Sequence, residues 1–154
     1  MISRIFGLLA IVGALFLTSC EPPAQLRVEK AYIIMSPIAD RPAAAYFTVY
    51  GGPQPVELLE VVAPQALRTV MHDNVPVDGL MTMAQITKVP IPARGEVTFE
   101  PGGKHAMLFG VDNSGRNSGE LRLEFIFSNG DRILVDAPVR NMGSANAGHQ
   151  AQDS

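Results

Sequence analysis

The sequence predicts an all-β domain, an antiparallel β-sandwich, and three observations support this fold class. Apolar and polar residues alternate in several short segments, which is the period of a strand with one buried face. Twelve prolines and fourteen glycines divide these segments, and both residues favour turns. Only the segment 64–69 indicates a helical turn. Many short strands separated by turns are typical of a sandwich or barrel.

The clearest strand pair lies near the C-terminal end of the domain. In the segment 121–127 every odd-numbered residue is Leu or Phe, which predicts a strand with one apolar face. Asn129 and Gly130 follow, a pair typical of two-residue hairpin turns because both tolerate positive φ. We expect the segment 132–137 to return as the partner strand.

Four further strands are predicted earlier in the chain. The first two are separated by a loop that contains proline, and the last two are joined by a turn at Pro101–Gly103. The predicted strands are Arg27–Met35, Ala43–Tyr50, Glu96–Glu100 and His105–Val111.

The N-terminus predicts export and lipid attachment. Arg4 precedes an uncharged apolar run, 5–17, which is too short for a membrane span and fits a signal peptide. Small residues then lead to Cys20, the only cysteine, in a sequence that resembles the lipobox of bacterial lipoproteins. We therefore expect acylation of Cys20 and a periplasmic protein anchored to the inner or outer membrane of the cell.

Composition divides the chain into four parts. We expect a signal peptide over 1–19, a lipidated tether over 20–25, a β-sandwich domain over 26–140 and a disordered polar tail over 141–154. The formal net charge is −3 and no basic stripe is present, so nucleic acid is not an expected partner. A single cysteine also excludes an internal disulfide framework.

Histidine and methionine cluster in the chain and suggest a metal site. Two of the three histidines lie inside the predicted domain, and the third, His149, lies in the tail. Each of the two inner histidines has methionines nearby. The candidate ligands form three short groups: Met71 with His72, Met81 with Met83, and His105 with Met107.

These groups favour copper in its reduced form. Residues i and i+2 of a strand point to the same side, so His105 should project with Met107, and Met81 with Met83. Thioethers are soft, neutral donors that favour Cu(I), and imidazole also suits copper. Zinc would prefer thiolate, histidine or carboxylate ligands.

A structural interpretation of the same residues stays open at this point. Methionine is a flexible core filler, and a single histidine is often a surface residue or a hydrogen-bonded core residue. Met81 is either an alternative donor or packs beneath the site. Met71 is a second possible auxiliary ligand, although it should face away from His72 if the segment is extended.

A longer pattern connects the three groups. His72 is followed after ten intervening residues by Met83, and after a further twenty-one by His105, with Met107 two positions later. This arrangement resembles the PCu(A)C family of periplasmic copper chaperones, and the likeness covers about residues 28–139. Three flanking segments also resemble the family, namely Pro42–Tyr46, Val89–Ala93 and Pro101–Gly110.

The resemblance implies a fold, a metal site and a role. The fold is a cupredoxin-like β-sandwich, and the site binds one Cu(I) per domain through His72, Met83, His105 and Met107. The role is copper delivery toward cytochrome c oxidase, with a Sco-type protein or the copper subunit of the oxidase as acceptor. The chain departs from the family in lacking tryptophan and in having Asp73 where glutamate is common. Neither change removes a ligand.

Three functions are compatible with the sequence. The first is a non-enzymatic, monomeric Cu(I) carrier, the second is a copper-buffering or resistance lipoprotein without a dedicated acceptor, and the third is a structural lipoprotein whose methionines pack in the core. No Ser-His-Asp set or paired carboxylates stand out, and a four-ligand Cu(I) site has no open position for chemistry, so an enzyme is not expected.

Overall fold

The computed structural model describes residues 24–38 and 40–141. The predicted signal peptide, the lipidation site at Cys20 and the tail with His149 lie outside the described residues. Within the described part, no helix is long and apolar enough to cross a membrane.

The described residues form ten strands and one short helix. In chain order they are β1 (Arg27–Met35), β2 (Ala43–Tyr50), β3 (Val56–Val62), β4 (Arg68–Val77), β5 (Leu80–Gln85), β6 (Val89–Ile91), β7 (Glu96–Phe99), β8 (His105–Phe109), α1 (Asn113–Asn117), β9 (Glu120–Phe127) and β10 (Arg132–Asn141).

Nine of the strands form a continuous hydrogen-bonded path. Their order is β5-β4-β8-β2-β1-β10-β9-β3-β6, and β7 pairs with β2 beside this path. Strand β10 pairs antiparallel with β9 and parallel with β1. The sheet is therefore not wholly antiparallel, because β10 runs parallel to its neighbour β1.

Aromatic contacts show that this path folds over itself into two layers. Strands β1 and β10 lie between β2 and β9 in the strand order, so a flat sheet would keep β2 and β9 about 14 Å apart. The ring centroids of Phe47 on β2 and Phe125 on β9 are only 4.7 Å apart, edge to face. Phe99 stacks on Phe47 with centroids 4.2 Å apart. These buried rings form the centre of a core between two β layers, as in a β-sandwich.

The hairpin between β9 and β10 differs from the prediction in its loop. Three residues, Ser128–Gly130, form the loop, and Phe127 N–H donates to the Asp131 carbonyl at 3.0 Å to close it. Of the two predicted turn residues only Gly130 has positive φ, at 89°. A three-residue loop needs this conformation at one position only, whereas a two-residue turn of the predicted type needs it at both.

The helical prediction was wrong in position. The segment 64–67 forms turns and bends, and Arg68 already begins β4. The helix lies instead at α1, where the Asp112 carboxylate accepts a hydrogen bond from Gly115 N–H at 2.7 Å and caps the first turn. A five-residue helix is too short to produce a helical period in the sequence.

The site region lies at one end of the strand order, on β5, β4 and β8. Asp78 and Gly79 join β4 to β5, and both have positive φ, 50° and 81°, as a tight hairpin turn requires. Strand β5 pairs with β4 only and is thus an edge strand among the described residues. Gly102, with φ of 85°, turns the chain into β8.

Candidate metal centre

The two inner histidines lie directly opposite each other on neighbouring strands. His72 of β4 is the register partner of His105 of β8. Their rings are stacked, with centroids 5.8 Å apart and planes inclined by 21°. Directly opposed residues of an antiparallel pair project to the same face, so the fold brings together two imidazoles that are far apart in the chain.

The two predicted methionine ligands flank this histidine pair. Met107 is two residues after His105 and opposite Val70, and Met83 is opposite Asn74, two residues after His72. Because the strand period is two, both methionines share the face of the histidines, one on each side of them along the strands. The structure therefore places all four predicted ligands on one face of β5, β4 and β8.

The two auxiliary candidates have different positions. Met81 lies opposite Pro76 on the same face, one step further toward the hairpin turn, and is 66% exposed. Met71 lies on the opposite face, where it is 5% exposed within the hydrophobic core. The structure thus brings Met81 into line with the four predicted ligands and does not bring Met71 there. Met71 and His72 therefore point to opposite faces of the sheet, as expected for neighbouring residues of an extended segment.

The ring of His105 has a fixed orientation. Its Nδ1 lies 2.9 Å from the carbonyl oxygen of Gly103, and since a carbonyl only accepts, Nδ1 carries the proton of the neutral ring. The other nitrogen, Nε2, then presents its lone pair for a metal. A histidine ligand in proteins is commonly oriented by this type of hydrogen bond.

His72 has the opposite property, a buried nitrogen without a partner. Its Nδ1 is among the buried side-chain atoms of the described residues that lack a hydrogen bond. Burial lowers the pKa of His72 below its ordinary value and the nearby His105 lowers it further, and together these outweigh the smaller opposite effect of the Val70 backbone. Both effects favour the neutral ring, which is the form that coordinates metals. An unpartnered nitrogen on an imidazole beside a second imidazole fits a metal ligand.

Sequence reasoning missed an ion pair next to the histidines. Lys104 Nζ donates to Asp73 Oδ2 at 2.6 Å. Asp73 follows His72 and Lys104 precedes His105, so the pair links the same two strands one step further along. The sequence shows that each histidine has a charged neighbour, but that these two charges form an ion pair follows only from the pairing of His72 with His105.

The donor set is suited to a soft metal. No group of three or more His, Cys, Asp or Glu residues within the described ranges could hold a metal ion. Two imidazoles with thioethers on both sides therefore make up the candidate site. Neutral nitrogen and sulfur donors favour Cu(I) over hard cations such as Mg²⁺ or Ca²⁺.

A family match covers most of the chain. Residues 26–139 match the model of the LpqE-like family, whose description refers to a lipoprotein. A comparison with functionally curated proteins gave no significant match.

Solved structures with the same fold include PCuAC domains and the protein DR1885. The copper-bound PCuAC domain from PmoF2 is 16% identical, with a TM-score of 0.62 over 79% of this chain and 97% of that one. Apo-DR1885 from Deinococcus radiodurans is 22% identical, with a TM-score of 0.56 over 92% of this chain and 97% of that one. Its Cu(I) form is 23% identical, with a TM-score of 0.53 over 80% and 81%.

These findings agree with the fold and the relationship expected from the sequence. The predicted cupredoxin-like β fold is confirmed by the similarity to PCuAC domains. The copper predicted for this chain is also the metal in two of the solved structures. The chain belongs to the LpqE-like family, and its domain has the fold of PCuAC domains, as the predicted resemblance implied.

Proposed function

We propose that this chain is a metallochaperone that carries one Cu(I) on His72, Met83, His105 and Met107 and transfers it to another protein. The observation that carries the proposal is the opposed histidine pair with a methionine on each side, on one face of three adjacent strands. The copper-bound state of the PmoF2 domain and the Cu(I) form of DR1885 support the choice of metal.

The ligand chemistry supports transfer rather than permanent storage. Thioethers and neutral imidazoles bind without releasing protons at neutral pH and add no net charge, whereas thiolates must first be deprotonated. Thioethers also avoid disulfide formation in an oxidising compartment. A neutral site of this type holds Cu(I) and still loses it to an acceptor with thiolates, which bind soft metals more strongly.

The cellular part of the proposal concerns location and acceptor. Acylated Cys20 anchors the chain to the membrane from the periplasmic side, and the carrier acts as a monomer. The acceptor is a Sco-type protein or the copper subunit of cytochrome c oxidase. Because four protein ligands fill the coordination sphere of Cu(I), the carrier has no enzymatic activity. The lipoprotein description of the family supports the anchor.

An anaerobic Cu(I) titration tests the binding site. The sample is the mature chain with Cys20→Ser, because an unacylated thiol would itself bind Cu(I). Competition with a chromogenic Cu(I) chelator should give one equivalent bound, and His105→Ala or Met107→Leu should weaken binding by more than about tenfold, since loss of even a supporting residue has effects of that size. Met71→Leu is the matched control and should bind as the parent does. Full affinity in both site variants would refute the ligand assignment.

A deletion strain separates delivery from buffering. Loss of oxidase activity that added copper restores is the expected result for a delivery protein. Sensitivity to excess copper with normal oxidase activity would instead support a buffering or resistance lipoprotein.

A further inference from the structure

The candidate ligands on β5 are the most exposed of the set, since His72 and Met107 are only partly exposed and the others are buried. His105 is 7% exposed, Met83 is 50% exposed and Met81 is 66% exposed. Methionine is ordinarily a buried residue, so two strongly exposed methionines on one strand face need an explanation. Both thioethers lie on the face that presents the histidine pair.

The strand that carries these methionines is the outermost part of the site. Strand β5 pairs only with β4 among the described residues, whereas β8, which carries His105 and Met107, pairs with both β4 and β2. Met81 and Met83 are two residues apart, which corresponds to about 7 Å along a strand. The thioethers of β5 thus form a line that begins at Met83, two residues nearer the turn than the register partner of His72, and ends at Met81 near the turn.

The inner ligands are better fixed than those of β5. The ring of His105 is oriented by the Gly103 carbonyl at 2.9 Å. The Lys104–Asp73 ion pair joins β8 to β4 next to the histidines. Nothing comparable is described for Met83, whose long side chain has several free rotations and is half exposed. Met107 has an equally flexible side chain but is less exposed and lies on β8, which is paired on both sides. Of the four ligands, Met83 can therefore leave the metal at the smallest structural cost.

From the exposure of the β5 methionines we propose that copper leaves the site along β5: Met83 is the first ligand released, and Met81 is a transient ligand nearer the hairpin turn. The inference rests on the proposed carrier function. The step is a ligand exchange at Cu(I) without change of oxidation state. The bond from Met83 Sδ to copper breaks and Met81 Sδ occupies the freed position. A first thiolate of the acceptor then replaces Met81, and a second thiolate of the acceptor binds copper as His72, His105 and Met107 detach.

Transfer kinetics test the role of Met81. The Cys20→Ser mature chain is loaded with one equivalent of Cu(I) and mixed with a Cys-x-x-Cys peptide in a stopped-flow instrument. Met81→Leu should leave stoichiometry and affinity unchanged and slow transfer several-fold, because leucine keeps the apolar bulk and removes the sulfur. Leu80→Ala is the control: Leu80 is 73% exposed on the neighbouring position, and its truncation should leave the transfer rate unchanged.

Methionine methyl NMR tests the order of release. With ¹³C-labelled methionine methyls, substoichiometric peptide added to the Cu(I) protein should perturb the Met83 signal before that of Met107. Transfer by Met81→Leu at the parent rate, or perturbation of Met107 first, would overturn the proposed route. Failure of the parent chain to bind Cu(I) would instead overturn the carrier function itself, so the two failures are distinguishable.

Discussion

At the scale of single residues, the two opposed histidines differ in how their nitrogens are satisfied. His105 has one nitrogen fixed by the Gly103 carbonyl, while the buried Nδ1 of His72 has no partner. A buried polar atom without a hydrogen bond costs stability. In the proposed site this cost would be removed when the nitrogen coordinates copper, so the copper-free state should be the less stable one at this position.

The pKa of His72 gives a residue-scale prediction for the copper-free protein. Burial, and secondly His105, lower this pKa from its ordinary value of 6.5. As pH falls, the unfolded chain therefore takes up a proton on this histidine before the folded chain does. The free energy of unfolding is unaffected by this histidine above pH 6.5 and decreases progressively below it. A ¹H–¹³C NMR titration of the imidazole signals should place the His72 midpoint below 6.5.

His105→Ala is the informative variant in the same titration. It removes the neighbouring ring and should move the His72 midpoint part of the way back toward 6.5, because burial is the larger cause of the shift. A midpoint at or above 6.5 in the parent chain would contradict this description of the site.

At the scale of elements, the site depends on the alignment of β4 with β8. His72 and His105 meet only in the observed register, and a slip by one residue would send one of them to the opposite face. The Lys104–Asp73 ion pair, at 2.6 Å and partly shielded from solvent, joins the strands beside the histidines. We infer that this pair is a positioning device for the ligands.

Loss of the ion pair should affect copper more than folding. Asp73→Asn or Lys104→Gln is expected to lower the free energy of unfolding by less than about 1 kcal/mol, and to weaken Cu(I) binding by about 10- to 100-fold, as supporting residues of metal sites do. The double variant should be no weaker than either single one. Chelator competition and urea denaturation measure the two effects.

The matched control is another ion pair between paired strands. Arg122 and Asp136 join β9 to β10 at 2.8 Å, away from the three strands that carry the site. Arg122→Gln should leave Cu(I) affinity unchanged. Undiminished affinity in Asp73→Asn would show that the Lys104–Asp73 pair does not position the ligands.

The sequence predicted some strands and missed others, and a regular alternation of apolar and polar residues made a strand easier to predict. Strands β1, β2 and β9 were predicted close to their observed bounds, and β9 shows the clearest alternation of apolar and polar residues. Strands β3 to β6 were not predicted, because prolines interrupt this region and because the exposed face of β5 carries methionines where a surface strand would have polar residues. For Met71 and His72, however, the two-residue period of a strand correctly predicted opposite faces: Met71 faces the core and His72 faces the opposite side.

At the scale of the whole molecule, the hydrophobic core packs against the inner face of the strands that carry the candidate site. The buried aromatic contacts of Phe47 with Phe99 and Phe125 bring the two β layers together. Met71 belongs to this core, directly next to His72 in the chain. A well-packed core beneath β4 and β8 supports the face that carries the proposed ligands.

Truncation of the central ring should destabilise the entire domain. Phe125→Ala is expected to lower the free energy of unfolding by about 3–5 kcal/mol, since it removes a buried aromatic side chain and leaves a cavity. Leu134→Ala on β10 is the control, because Leu134 is exposed, and its effect should stay within about 0.5 kcal/mol. Urea unfolding followed by circular dichroism measures both. Equal losses in the two variants would contradict the assigned core.

The long-range arrangement is the part that residue patterns alone did not predict. Local alternation predicted strands and a sandwich, and the ligand types predicted a soft metal. The pairing of β4 with β8 and the parallel pairing of β10 with β1 connect distant parts of the chain. Such contacts produce no periodic pattern in the local sequence, so they could not be predicted from it. The likeness of the ligand spacing to PCu(A)C proteins supplied the four-ligand set that the patterns left open.

X-ray absorption at the copper edge tests the central claim most directly. The Cys20→Ser mature chain, loaded anaerobically with one equivalent of Cu(I), should show a reduced copper ion with both nitrogen and sulfur neighbours, as two imidazoles and two thioethers provide. Met83→Leu should lower the sulfur contribution, and Met71→Leu should leave it unchanged. A copper ion with nitrogen or oxygen neighbours only would contradict the claim that the thioethers hold the metal.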